Sequence, residues 1–129
     1  MDISQCEPLS NTASVESIVR DNDLNNNTTT ISTIVLDNLA PEITACAINR
    51  TLEGCSTADI SGPAFSATEA ASSYEEFSDA VNQGVALDNC TIESATYQDV
   101  ASGACPITVE RTWTITDASG NEASCIQII

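Results

Sequence analysis

The chain has 129 residues, of which 19 are acidic and 3 basic, giving a formal net charge of −16 at neutral pH with no histidine. So negative a chain repels phosphate backbones and anionic membrane surfaces, which argues against nucleic-acid binding. The absence of histidine removes the commonest general base and the commonest nitrogen ligand for a metal.

In chain order, residues 1–27 are polar apart from the apolar patch "SVESIVR", and the Asx-rich "DNDLNNN" that follows has the composition of a turn. "TTTISTIVLDN" reads as a strand of β-branched residues ending in Ile34, Val35 and Leu36. Pro41 interrupts the pattern, Ile43 opens a further strand, and "RTLEGC" reads as a third short one. "SSYEEFSDAVNQG" places Tyr74, Phe77 and Val81 at helical spacing, with Ser73 and Glu76 in capping-box positions and Gly84 as a stop. It predicts one short helix crossing between sheets. "TIESATYQDV" returns to strand, with Ile92 and Tyr97 as packing residues. In "PITVERTWTITD", Ile107, Val109, Trp113 and Ile115 share one face and a row of Thr and Glu the other. Arg111 falls on the apolar face, where it either snorkels or pairs with a carboxylate. Trp113 reads as a core anchor. Strands at this spacing predict an antiparallel β-sandwich.

The final stretch, "VERTWTITDASGNEASCIQII", reads as two strands joined by a turn, and its second strand ends at Ile129 as an apolar edge made of Ile126, Ile128 and Ile129. No apolar run approaches the ~20 residues of a membrane-spanning helix. "MDISQCEPLS" lacks the basic and apolar regions of a signal peptide, so the expectation is a mature product or an excerpt of a longer precursor. Six cysteines in a small acidic chain point to disulfides and an oxidising, extracellular or cell-surface location. They allow fifteen complete pairings. Tight CxxC pairs of the metal-site kind are absent, and a catalytic thiol would lack a histidine.

"APEITAC", "LEGCSTADISG", "DNCTI", "TYQDV", "GACPITVERTWTITDASGN" and "SCIQII" together resemble the HYR-like, immunoglobulin-like repeats of large secreted surface proteins of the Bacteroidetes type, such as adhesins and gliding-associated proteins. The resemblance covers about residues 37–129. It implies a β-sandwich module strung in tandem and leaves residues 1–27 unmatched; with the helix read above and the strand before Asp37, the expected fold is an all-β, immunoglobulin-like antiparallel β-sandwich with one short crossover helix and an N-terminal strand extension over residues 1–36. It also implies a stalk-like or adhesive role without catalysis. In such repeats the last strand runs further, into a "DN…AP" junction, which this chain carries at its other end as "TISTIVLDNLAP". Hence the expectation that another copy's strand, comprising Thr29, Ile31, Thr33, Ile34, Val35 and Leu36, completes or continues the last one, with "SVESIVRDNDLNNN" supplying a second strand and turn. The expected partners are copies of the chain itself or adjacent repeats, with no nucleic acid and no membrane insertion.

The resemblance also suggests a bridge between Cys46 and Cys125, from first strand to last. Cys90 and Cys105 flank one strand and can close a local loop. Ser119 stands in the turn where similar sequences carry a cysteine, which suggests that Cys55 pairs with Cys6, within the chain or between neighbouring copies. "LDNLAP" resembles the calcium-binding linkers of cadherin repeats, making Asp37 a candidate calcium ligand.

Asp21, Asp23 and Asn25 alternate as the first ligands of many calcium loops do, with Asn27 available as a fourth, but the glycine and distal glutamate of such loops are missing. An ordinary Asx-rich turn explains them better. Sequons at Asn26, Asn27, Asn49 and Asn89 mark candidate glycan sites, and the Thr28–Thr33 run can carry O-linked sugar. Covalent glycans and calcium are therefore the only non-protein groups to consider, and no cofactor is required. Glu75 and Glu76 are adjacent, so on a helix they diverge rather than converge on one bond. The sequence reads as a non-enzymatic fibre or stalk subunit, with an adhesive or carbohydrate-binding repeat as the alternative.

Overall fold

The computed structural model describes residues 6–129, which contain eight strands and a single-turn helix. The chain forms two compact units, one ending at Asp37 and one spanning Asn38–Ile129.

The first unit is a two-stranded antiparallel ribbon of β1 (Leu9–Ser14) and β2 (Thr28–Thr33), registered from Leu9↔Thr33 to Ser14↔Thr28. Thr12 and Thr30 join hydroxyls across it at 2.8 Å. The partner of β2 is therefore "LSNTAS", whereas the expected "SVESIVR" lies largely in the connection. That connection is organised by Asx side chains and a 3-10 turn at Leu24–Asn26, which favour a turn over a ladder. β2 ends at Thr33, short of the expected Leu36. Its partner runs out there, because Pro8 precedes Leu9 and has no N–H to donate.

The second unit is all-β and antiparallel, with a four-stranded sheet in the order β4-β6-β7-β8 packed against a two-stranded one, β3-β5. The strands are β3 (Glu42–Ala45), β4 (Ala70–Ser72), β5 (Val85–Leu87), β6 (Ile92–Gly103), β7 (Ile107–Asp117) and β8 (Glu122–Ile128). Strict alternation along β7 buries Val109, Arg111, Trp113, Ile115 and Asp117 on one face. Trp113 is fully buried, with Phe77 edge-on at 5.4 Å and Tyr97 tilted at 5.5 Å between ring centroids. Ala47, Ala86 and Ala95 fill the space between the sheets. The indole N–H donates to Gln127 Oε1 at 3.0 Å, and Gln127 Nε2 in turn donates to the Ile48 carbonyl at 2.7 Å.

The helix α1 (Tyr74–Phe77) is one turn, shorter than its apolar spacing predicts. Ser73 caps it, accepting the Glu76 amide at 3.1 Å, while the Glu76 carboxylate accepts from Ser72 instead of closing a reciprocal box. Gly84 is required by close approach, since a Cβ there would overlap the Phe77 ring. Val81 is nearly half exposed. "RTLEGC" is irregular, not a strand: Ser56 and Asp59 form a capping box around a 3-10 turn, Thr57–Asp59, that bends the chain away from any ladder. The short strand β5, just after Gly84, has no clear signal in the sequence.

Candidate assembly surface

Built from its residues upward, the most unusual feature of the described chain is the stretch Thr28–Leu36. Every residue of β1 and β2 is exposed, including Ile31 at 64 %. One edge of β2 is used by β1, and the other accepts no hydrogen bond among the described residues. Beyond the ribbon, the backbone groups of Ile34, Val35 and Leu36 make no hydrogen bond on either side, and Ile34 and Leu36 are 75 % and 77 % exposed. In a chain of charge −16, residues 28–36 carry none. Uncharged, β-prone chain with unpaired backbone groups is the chemistry by which a strand can add to a sheet edge.

The body treats its own edges differently. Ala86 in β5 turns its backbone groups outward, and the Tyr74 hydroxyl satisfies both, donating to the carbonyl at 2.9 Å and accepting from the amide at 3.1 Å. At the end of β8, the Ile128 amide donates to Asn49 Oδ1 at 2.8 Å and its carbonyl accepts the Arg50 amide at 2.9 Å. Ile129 exchanges two backbone bonds with Val109, at 2.8 and 2.9 Å. The expected free apolar end at Ile128 and Ile129 is therefore occupied within the chain. On β6, the Asp99 amide donates to the Ser66 carbonyl and Ser66 returns its amide to Asp99 Oδ2. Tyr74, Asn49 and Arg50 carry no sequence signal for this work; only the fold brings them beside the edges.

Arg111 pairs with a carboxylate, one of the two outcomes its position allows. Its Nε and Nη2 each meet an Asp99 oxygen at 2.7 Å, both side chains are fully buried, and the guanidinium lies 4.5 Å from the Tyr97 ring centroid. Burial raises the Tyr97 hydroxyl above its ordinary pKa, and that hydroxyl donates to the Ala64 carbonyl. In the "DASGN" turn, burial pushes Asp117 upward. Hydrogen bonds from the Asn121 side chain and from the backbone amides of the turn outweigh it, and the carboxyl sits below its ordinary range. Ser119 is exposed and gives its amide to Asp117 Oδ1 at 2.8 Å.

All six cysteines are disulfide-bonded, and none of the described ones is free. Cys46 bridges to Cys125 with a Cα separation of 5.8 Å, as the resemblance suggests. The other two expected bridges are corrected: Cys55 bonds to Cys105, not to Cys6, so Cys105 does not close the local loop with Cys90. The 3-10 turn after Cys55 and the tip of the β6–β7 hairpin bring these sulfurs together, a proximity that strand spacing does not reveal. Cys55 thus has a partner without any cysteine at position 119. Cys6 and Cys90 are disulfide-bonded as well.

Asp21 Oδ1 accepts the Asp23 amide at 2.9 Å and Asp23 Oδ1 accepts the Asn25 amide at 3.1 Å, so the alternating acids act as successive Asx-turns. Asp37 is half-buried at the end of the first unit. Asn26, Asn49 and Asn89 are exposed and Asn27 half-buried. Glu75 and Glu76 sit in the first turn of α1, where they favour the helix dipole. A cavity bounded by Leu52, Ile60, Ile107, Val109 and Ile129 holds about 40 Å³, well under the ~300–1,000 Å³ of ordinary small-molecule sites.

No family model, no curated protein and no solved structure matches this chain.

Proposed function

We propose that the protein is an extracellular structural subunit or repeat of a fibre or stalk, whose copies join head to tail through the N-terminal strand segment by β-augmentation or strand donation. The observation that carries this reading is the state of Ile34–Leu36: uncharged, β-prone and without a backbone hydrogen bond on either side, with Ile34 and Leu36 exposed and Val35 half-buried. A two-stranded ribbon is at best marginally stable in water, so a neighbour that adds strands to it supplies what the ribbon lacks. Such a contact joins two different surfaces and propagates as a filament instead of closing as a pair. The disulfides and the absence, among the described residues, of a helix long and apolar enough to cross a membrane fit a secreted location. An adhesive, carbohydrate-binding role draws on exposed aromatic faces. Here Tyr97 is buried and the Tyr74 hydroxyl is committed to β5.

The test is size under oxidising conditions, by light scattering and negative-stain microscopy, on the wild type and on an Ile34→Asp/Leu36→Asp double variant. Filaments from the first and dispersed, folded subunits from the second are expected. A wild type that stays monomeric at high concentration, or a variant that assembles as well as the wild type, would sink the reading.

A further inference from the structure

The four sequons are equivalent as sequence and unequal as structure. A transferase must draw the Asn-x-Thr tripeptide into its own site, so the asparagine has to be exposed, its carboxamide free and its backbone loosely held. At Asn49 these conditions fail. Its Oδ1 holds the Ile128 amide at 2.8 Å, the next residue gives its amide to Ile128, and the Arg50 guanidinium donates to the carbonyls of Ser61 and Gly62 at 2.8 and 3.0 Å. Asn89 is followed by Cys90, whose disulfide fixes the middle of the tripeptide. Asn27 is half-buried, its carbonyl accepts the Val15 amide at 2.9 Å, and both threonines that follow are paired in the ribbon.

Asn26 shares Asn27 and the ribbon-paired Thr28 in its own tripeptide, but differs in the exposure of the asparagine, its free carboxamide and the looseness of its own turn. It is exposed in the 3-10 turn, and no hydrogen bond engages its side chain. The two backbone bonds of that turn are long, Asn26 amide to Asp23 carbonyl at 3.5 Å and Asn27 amide to Leu24 carbonyl at 3.4 Å, so it opens at little cost. In the same connection Ile18 is fully exposed and Val19 and Leu24 are each 72 % exposed. A bulky hydrophilic group beside that apolar patch would shield it. The turn lies at the opposite end of β2 from Ile34–Leu36, six strand residues or ~20 Å away, so a glycan there leaves the joining segment clear.

We infer that Asn26 is an N-glycosylation site, the one structurally eligible among the four. In the transfer, the Asn26 Nδ2 attacks the anomeric carbon of a lipid-diphosphate-linked oligosaccharide. An N–C bond forms, the carbon–oxygen bond to the diphosphate breaks, the lipid diphosphate departs with the electron pair, and the amide loses one proton to the transferase base. The amide is retained, and no oxidant or reductant is involved.

Intact mass and peptide mapping test this on the full chain secreted from a host that carries out N-linked transfer, with the same readout on protein from its natural source. A sugar mass on the Asn26 peptide is expected, lost in Asn26→Gln and equally in Thr28→Ala, which keeps the asparagine but destroys the sequon. Asn49→Gln should leave the modified fraction unchanged. A chain whose mass equals that of its sequence with all cysteines oxidised, or one glycosylated at Asn49 or Asn89 with Asn26 bare, overturns the assignment. Neither result depends on whether the subunits polymerise.

Discussion

The two units solve the problem of strand edges in opposite ways. In the body, outward-facing backbone groups are met by side chains and loops: Tyr74 at β5, Asn49 and Arg50 at β8, Ser66 at β6. Its core is sealed around Trp113 and Phe77. The ribbon buries nothing, leaves one edge of β2 without hydrogen bonds and then extends three apolar residues that bond to nothing. A single composition thus yields one unit whose edges are met in part from within and one whose edge is left without partners. Polar contacts placed beside an edge matter as much here as the strand residues themselves.

The contrast can be broken most severely inside the body. Arg111→Ala or Asp99→Ala leaves a buried charge uncompensated and should cost about 3–5 kcal/mol, read as a fall in denaturant midpoint with unchanged slope. A smaller response would mean that water reaches the pair. Replacing Cys46 and Cys125 with serine removes a loop constraint over 79 residues and should cost about 4 kcal/mol, checked by thermal unfolding of the double variant. Tyr74→Phe leaves both Ala86 backbone groups without their partner and should cost about 1–3 kcal/mol. It should also make the body itself prone to lateral association, visible as concentration-dependent scattering.

Acid offers a finer probe. Because hydrogen bonds hold Asp117 below its ordinary range, its contribution is complete above the unfolded carboxyl's pKa of about 4 and is lost as pH falls through the lower folded value. Asp117→Asn should therefore flatten the stability profile below about pH 4 and change its shape little at neutrality. At the small end, Thr30→Ala removes a cross-strand hydroxyl pair worth about 0.2–1 kcal/mol. It should shift amide exchange in β1 and β2 without moving the melting temperature of the body. A change in the latter would show that the ribbon is part of the same cooperative unit.

Where the sequence was legible, one physical rule dominated locally. The alternation in β7 announced its buried face and Trp113 because period-2 patterning is read directly off a long strand, and Ser73 announced the cap of α1. Around "RTLEGC" the strand-like composition is overridden by the capping box that follows it directly, Ser56 with Asp59. β5 carries too few residues to register a period. The disulfide between Cys55 and Cys105 and the plugging of β5 by Tyr74 depend on which loops meet in space. Of the joining segment, the composition was readable but its state was not: that Ile34–Leu36 is left without partners follows from Pro8, which ends the ribbon on the other strand.

The placement of the three arginines has a consequence for survival among secreted proteases. With no lysine, a trypsin-like enzyme has only Arg20, Arg50 and Arg111 as cleavage points. Arg111 is fully buried, and Arg50 is held by its backbone and its guanidinium. Arg20 alone stands exposed, in the connection between β1 and β2. Digestion of the native protein should nick that one bond and stop, leaving the body whole.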